Sequence, residues 1–224
     1  SLYSSEGRSE RVLPSVIETT RFIIRATSLI VFAAAFVLAA LCLLLGMDPL
    51  RSLLHGMWLS IAGFATGGFA PMSSSMMYYN SVAMEVVLMV LMIFGSINFI
   101  LFAEVRKDRM GTFFRDVEIR TMFVWVTAMV VVLIVSLCAS KACDDTGFLL
   151  RRGLFTVVST FSTSGFQVLT TNQMMTIVPS GALLVLALLM AVGGSAGSTS
   201  GGIKLARIGM EQTDKEIIQL MMEP

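Results

Sequence analysis

The chain has 224 residues, of which 55% are hydrophobic and 14% charged, with a mean hydropathy of +0.82 and a formal net charge of +1. That balance lies outside the range of soluble globular domains and places the chain in a bilayer. It gives no nucleic-acid surface, because the 16 basic residues are spread by membrane side rather than gathered in a patch. With no nucleophile–base pair, metal-ligand cluster or redox motif, the chain does not read as an enzyme.

A hydrocarbon core of roughly 30 Å takes about 20 apolar residues to cross as a helix. Charge-free stretches of that length lie between Arg25 and Asp48, between Glu85 and Glu104, and between Arg120 and Lys141; the stretch between Arg152 and Lys204 is too long for one span. Arg8, Arg11, Arg21 and Arg25 precede the first span, five basic residues lie between 106 and 120, and Lys204, Arg207 and Lys215 follow the last. Arg51, Lys141, Arg151 and Arg152 fall on the opposite side. By the positive-inside rule the amino end, the central loop and the carboxyl end are cytoplasmic. The start at Ser1, with no initiator methionine or signal-peptide layout, reads as the interior of a longer chain.

The sequence repeats itself at an offset of 97 residues. F-A-T-G-G-F at 64–69 aligns with F-S-T-S-G-F at 161–166, and Asp48, Leu53 and Gly56 fall on Asp145, Leu150 and Gly153. After a slip of two residues, Gly95-Ser96 meets Gly194-Ser195. In chain order, 1–21 is a cytoplasmic linker and 22–105 is repeat A. Repeat A holds a long helix over 22–46, a shorter amphipathic one over 49–63, a loop at 65–69 and a second long helix over 81–104. Asp48-Pro49 fits the start of the short helix, as acidic cap and first-turn proline. A cytoplasmic loop at 106–120 leads to repeat B, 121–210, with helices over 121–140, 147–160 and 177–208 around a loop at 162–166. Residues 211–224 are a cytoplasmic tail or the start of a further linker. With both termini and the central loop on one side, each repeat crosses an even number of times, yet each holds three apolar segments. The short segment therefore enters and leaves on the outer face. The expected fold class is an all-α membrane protein of two tandem helix–re-entrant pore loop–helix repeats.

Non-helical backbone at membrane depth is tolerated only where protein or a water-filled cavity satisfies it. A descending half-helix also aims the negative end of its dipole at the membrane interior. Glycine permits dihedrals that turn successive carbonyls toward one axis, and threonine adds a hydroxyl oxygen, so a desolvated monovalent cation can exchange its water for these oxygens. Thr66, Gly67 and Gly68, with Thr163, Ser164 and Gly165, are the candidate cation-binding residues. Neither loop carries the acidic residue of a divalent-selective ring. Ordinary Gly/Ser turns between packed helices are the plainer reading, and recurrence at matched positions weakens it. Phe69 and Phe166 are expected to pack.

The last span carries Gly193, Gly194, Ser195, Ala196, Gly197, Ser198, Thr199, Ser200, Gly201 and Gly202. Each glycine costs a helix about 1 kcal/mol relative to alanine, so this span is expected to unwind near its middle over 193–202, as a flap across a permeation path. A small-residue helix-packing face is the alternative. The order of a nucleotide P-loop is absent, since Ile203 and Leu205 flank Lys204. His55 reads as an interfacial packing residue, and Glu85 as a snorkelling helix-end charge or a source of negative potential at the outer mouth. Cys42, Cys138 and Cys143 read as packing residues rather than a disulfide framework.

A-T-G-G-F at 65–69, S-T-S-G-F at 162–166 and above all G-G-S-A-G-S-T-S-G-G-I-K at 193–204 resemble the Trk/Ktr/HKT superfamily of potassium transporters, most closely the Trk-type membrane subunit of prokaryotes. The opening L-Y-S-S-E-G-R-S-E-R-V-L-P is similar to the linker entering that family's second repeat, so the resemblance covers essentially the whole chain. It implies four helix–pore loop–helix repeats around one pore, with this chain holding the second and third. It also implies an intramembrane gate at 193–202 with Lys204 just after it, where the lysine holds the gate or anchors the span. A homodimer, a cytoplasmic ring of nucleotide-binding regulatory subunits and a prokaryotic cell membrane complete what it implies.

The expectation is passive or gradient-driven K+ uptake, in contact with membrane lipid and without a cofactor. Two other readings stay open. A secondary transporter would bind substrate at the broken helix near 195–200; a non-conducting assembly partner would have lost its oxygen-lined loops. Two loops cannot close a four-sided cage, so either the chain is a piece of a longer protein or two copies share one pore.

Overall fold

The structure, a computed structural model, describes residues 16–99, 117–139, 146–170, 172, 180–195 and 197–205. The expected linker up to residue 15, the central loop at 106–116 and the tail at 211–224 lie outside these residues, as do Cys143 and the side chain of Cys138.

Among the described residues, six α-helices and one 3-10 turn follow in order: α1 Val16–Leu44, α2 Pro49–Phe64, the turn Ser75–Tyr78, α3 Val82–Ser96, α4 Val117–Ala139, α5 Thr146–Phe161 and α6 Ser180–Ala191. Among the described residues there is no strand, only a single parallel bridge between Val192 and Ile203. α1 starts before residue 22 and so takes in the end of the expected linker, because nothing after Pro14 breaks the helical run. It stops at Gly46, whose φ of +83° closes a Schellman cap with Met47 N–H on Cys42 O (3.2 Å) and Gly46 N–H on Leu43 O (2.9 Å). α2 then starts at Pro49 with Asp48 at its N-cap position. The Asp48 side chain makes no capping bond, contrary to the sequence expectation, so its contribution is charge near the helix N-terminus.

α2 and α5 each have 16 residues, about 24 Å at 1.5 Å per residue, short of a roughly 30 Å core. α1 presents a buried stripe of Ala35, Leu38, Ala39 and Cys42 at helical spacing, while Leu29, Phe32, Phe36 and Leu44 are exposed. α2 lies close against that stripe. A Cβ on Gly56 would stand 2.6 Å from Ala35 O, and Ser60 Oγ donates to Val31 O at 2.6 Å. Large apolar side chains face outward while Ser52, Ser60, Ser96, Ser159, Ser162 and Glu85 are buried. Polar groups buried within an apolar core, beneath an exterior rich in large apolar side chains, are the pattern of a chain whose surrounding solvent is lipid.

One core cluster joins α1, α2 and α3 around Leu38, Leu59, Met84 and Leu88, and reaches across to Phe155 and Val158 of α5. A second joins α4, α5 and α6 around Met122, Val157, Phe161 and Leu189. α5 therefore serves both halves. Glu85 in the first turn of α3 forms a bidentate ion pair with Arg151 of α5, Nε to Oε2 at 2.7 Å and Nη2 to Oε1 at 2.8 Å. This corrects both readings of Glu85: the carboxylate is 3% exposed and neutralised, so it neither snorkels nor charges an outer mouth. His55 Nδ1 and Tyr79 Oη are 2.6 Å apart, which makes the buried histidine a hydrogen-bonded packing residue.

The second long helix of repeat A, expected to run over 81–104, stops at Ser96. Ile97 turns extended (φ −87°, ψ 148°), and the expected stretch from 100 to 104 lies outside the described residues. The carbonyls of Gly95 and Ser96, which would have continued the helix, instead receive Thr199 N–H (2.9 Å) and Ser195 N–H (3.0 Å).

Replacing Glu85 by Gln strands the Arg151 guanidinium. Breaking a buried pair costs about 3–5 kcal/mol, and the part-exposed Arg151 places this one at the lower end. The double change Glu85→Leu with Arg151→Met should recover most of that loss, as read by thermal unfolding of the full-length protein in detergent. A single change as mild as the double one contradicts the assignment.

Candidate functional site

α2 and α5 end bond for bond alike. In the first, Ala65 N–H reaches Ile61 O (2.9 Å), Thr66 N–H reaches Gly63 O (3.3 Å), and Gly67 and Gly68 N–H both reach Ala62 O (2.8 and 3.4 Å). In the second, Ser162 N–H reaches Val158 O (3.0 Å), Thr163 N–H reaches Thr160 O (3.0 Å), and Ser164 and Gly165 N–H both reach Ser159 O (3.0 and 3.4 Å). Every donor and acceptor is displaced by the same 97 residues. The dihedrals repeat as well: Thr66 and Thr163 have φ of 52° and 56°, and Gly68 and Gly165 have 68° and 83°. A β-branched residue in this left-handed region is an outlier costing on the order of 1–3 kcal/mol, and here it occurs twice at one register. Among the described residues, the carbonyls of Thr66, Gly67 and Gly68 and of Thr163, Ser164 and Gly165 accept no hydrogen bond.

The two loops meet backbone to backbone. A Cβ on Gly68 would stand 1.8 Å from Ser164 O, whereas one on Gly165 would meet nothing within 4 Å. A short segment clamps the far side of the 162–166 loop (loop B, with 65–69 as loop A): Met76 N–H donates to Gln167 O, and Gln167 N–H to Ser75 Oγ, each at 3.1 Å. Behind loop B, Ser159 Oγ donates to Phe166 O at 2.9 Å and holds Phe166 in the core. Phe69 differs from the expectation that both aromatics pack: it is 73% exposed, with its ring against Gly67.

α6 ends at Ala191, and residues 192–195 and 197–204 are irregular before Leu205 turns helical. The base of this loop is closed by Gly193 N–H on Ile203 O (3.0 Å) and Ile203 N–H on Ala191 O (2.8 Å). Only glycine fits there, since a Cβ on Gly193 would lie 1.5 Å from Gly201 O. Inside the loop, Gly194 N–H donates to Ser200 Oγ (3.0 Å), Ser198 Oγ to Ser195 O (2.6 Å), and Lys204 Nζ to Ser200 O. Thr199 Oγ1 lies 2.9 Å from Gly95 O and 3.0 Å from Phe64 O, and its single proton serves one at a time. Thr66 Oγ1 donates to Thr199 O at 3.1 Å, and Gly201 N–H donates to Thr163 Oγ1 at 2.8 Å.

The structure thus gathers the candidate loops at 66–68 and 163–165 and the loop at 193–202 into one place, apart from Ala196, which lies outside the described residues. Gly197 and Gly202 supply left-handed turns (φ 78° and 79°), and a Cβ on Gly202 would press on Gly193 N at 2.7 Å. Ser75 and Gln167 were not legible as partners, because their contact crosses 92 residues between loops of no shared motif. Gly95 and Ser96 left a signal, their match to Gly194-Ser195, and the two pairs prove to pack directly on each other.

A helical chain with an apolar exterior, polar groups buried within its core and irregular backbone from several helix ends gathered in one place is a membrane protein of the transporter class. The cation transport protein family TrkH matches over residues 1–217, and the chain belongs to that family, one of transporters and not of enzymes. The Trk system potassium uptake protein TrkH of Halomonas elongata is 30% identical over 220 residues, covering 96% of this chain and 42% of its own length. An uncharacterized cation transporter of Methanocaldococcus jannaschii is 29% identical over 206 residues, covering 92% of this chain and 38% of its own length. The crystal structure of the potassium transporter TrkH from Vibrio parahaemolyticus superposes with a TM-score of 0.75 at 24% identity, over 93% of this chain and 43% of that one. The chain thus spans about two fifths of the length of the relatives it matches.

Gly193→Ala should open the base of the 192–204 loop, and Gly68→Ala should push the two candidate loops apart, each lowering the melting temperature of the full-length protein by several degrees. Melting temperatures unchanged in both variants contradict the close approaches described.

Proposed function

We propose that this chain conducts a monovalent cation, K+, across the cell membrane through an oxygen-lined filter made from loops 65–69 and 162–166. The observation that carries the proposal is the matched pair of left-handed threonines and glycines, closed by identical hydrogen bonds and leaving the same carbonyls without donors. Strain of a few kcal/mol retained at both copies is what a ligand cage asks for, since preset carbonyls need no rearrangement when the cation sheds its water. α2 and α5 are, on this reading, re-entrant pore helices, with their dipoles directing negative potential at the ion. The relatives' names supply the ion: two of those compared are named as potassium uptake or potassium transporter proteins.

Two filter strands do not enclose an ion, and the contact between them indicates how further strands would join. Gly68 of loop A packs on Ser164 O of loop B; the equivalent face of loop B at Gly165 is open, as is Phe69 on loop A. A head-to-tail contact of this kind closes into a ring when repeated. Four such loops around one axis is the arrangement we assign to the whole transporter, a multi-pass protein of the cell membrane in which 22–105 and 121–210 supply two repeats. A homodimer and a cytoplasmic nucleotide-binding regulatory subunit belong to the same reading. Thr199 and Gly201 bring the 193–202 loop against both filter threonines, and this loop, with Lys204 on its Ser200 carbonyl, acts as the gate. A substrate site at 195–200 is less well supported, because the hydroxyls of Ser198, Thr199 and Ser200 are engaged within the loop or with repeat A, which leaves only the buried Ser195 Oγ without a partner there among the described residues.

K+ and Na+ fluxes of the full-length protein in proteoliposomes test this. Gly165→Ser and Gly68→Ser should each reduce the preference for K+ roughly tenfold, the effect of one misplaced ligand worth about 1.4 kcal/mol. Shortening 193–202 should raise flux. Unaltered K+/Na+ preference in both glycine variants overturns the filter assignment, and misassembly without increased flux on shortening overturns the gate.

A further inference from the structure

From the opposite polarity of its two threonine contacts, and resting on the filter reading above, we infer that the 193–202 loop is latched by the filter itself and that cation occupancy sets the latch. The two threonines are equivalent in sequence and dihedral but not in hydrogen bonding. Thr163 Oγ1 accepts Gly201 N–H (2.8 Å) and donates its own proton to Ser162 O (2.7 Å). Thr66 Oγ1 instead donates to the loop, at Thr199 O (3.1 Å).

A hydroxyl that ligates a cation offers it a lone pair. At Thr163 one lone pair already faces the Gly201 N–H, so a cation at that oxygen places two positive groups on one atom and weakens the loop bond. At Thr66 the loop takes the proton, and a cation on the oxygen polarises O–H and strengthens the bond. Occupancy therefore releases the loop at its 201 end while holding it at its 199 end. Thr199 is anchored a second time, through its N–H and Oγ1 on Gly95 O, in the break of the neighbouring helix. The 199 end is the hinge side and the 201 end the free side. Two loops identical in backbone thus perform different tasks, one retaining the flap and the other sensing the ion.

The test uses the full-length transporter with native cysteines replaced and a single cysteine at Ser198, labelled in vesicles by a thiol reagent in K+ or in choline. Labelling in the parent should quicken with K+. Thr163→Ala should label about fivefold faster without K+, the effect of one hydrogen bond lost, and should no longer respond to K+. Thr163→Ser should behave as the parent, and Thr199→Val should label faster yet keep its K+ response. Equal labelling of the parent and Thr163→Ala in choline overturns the latch. Faster labelling of Thr163→Ala with an undiminished K+ response overturns the competition for its oxygen. The choline arm reads the loop alone, so its failure is distinct from failure of the filter reading, which Gly165→Ser selectivity decides.

Discussion

Everything in this molecule follows from the requirement that backbone amides and carbonyls released from helices inside a bilayer find partners within the protein. Each unsatisfied group costs several kcal/mol in hydrocarbon. Four helix ends meet this requirement together: the carboxyl ends of α2 and α5, the interruption after Ser96 and the loop after Ala191. Each supplies what another lacks. Gly95 and Ser96 lend carbonyls to Thr199 and Ser195, and Thr163 lends an oxygen to Gly201. The carbonyls of the two threonine–glycine loops are left over, and the proposed function gives them a cation as partner.

Close approach carries the cost of this arrangement. Gly68 against Ser164 and Gly193 against Gly201 are contacts that a single methyl group would break, so glycine at these points is a matter of space as well as dihedral angle. The half-buried Glu85–Arg151 pair acts at a different level, tying the first turn of α3 to α5 across the two halves. Its charges are spent on each other, and so the pair contributes position rather than field.

Much of this is legible in the residues, because repetition is a signal that survives without an alignment. The F-x-T-x-G-F match located both loops, and their hydrogen bonds repeat at the same offset of 97. Five glycines within 193–202 coincide with the irregular backbone that follows α6. The interruption after Ser96 was hidden: a lone Gly-Ser pair costs a helix little, and only the incoming N–H groups of Ser195 and Thr199 divert its carbonyls. Glu85 and Arg151 were each readable as a charge near a membrane face but not as partners, since nothing local links residues 66 apart. The same holds for Ser75 with Gln167. Asp48 shows the converse, a position with the composition of a cap whose side chain makes no capping bond.

The central claim is that the carbonyls left without donors in the two loops hold the transported ion. Anomalous scattering from Tl+ or Rb+ in crystals of the full-length transporter addresses it directly. The account predicts density ringed by the backbone oxygens of residues 66–68 and 163–165. Density at 195–200 with none between the loops would contradict it.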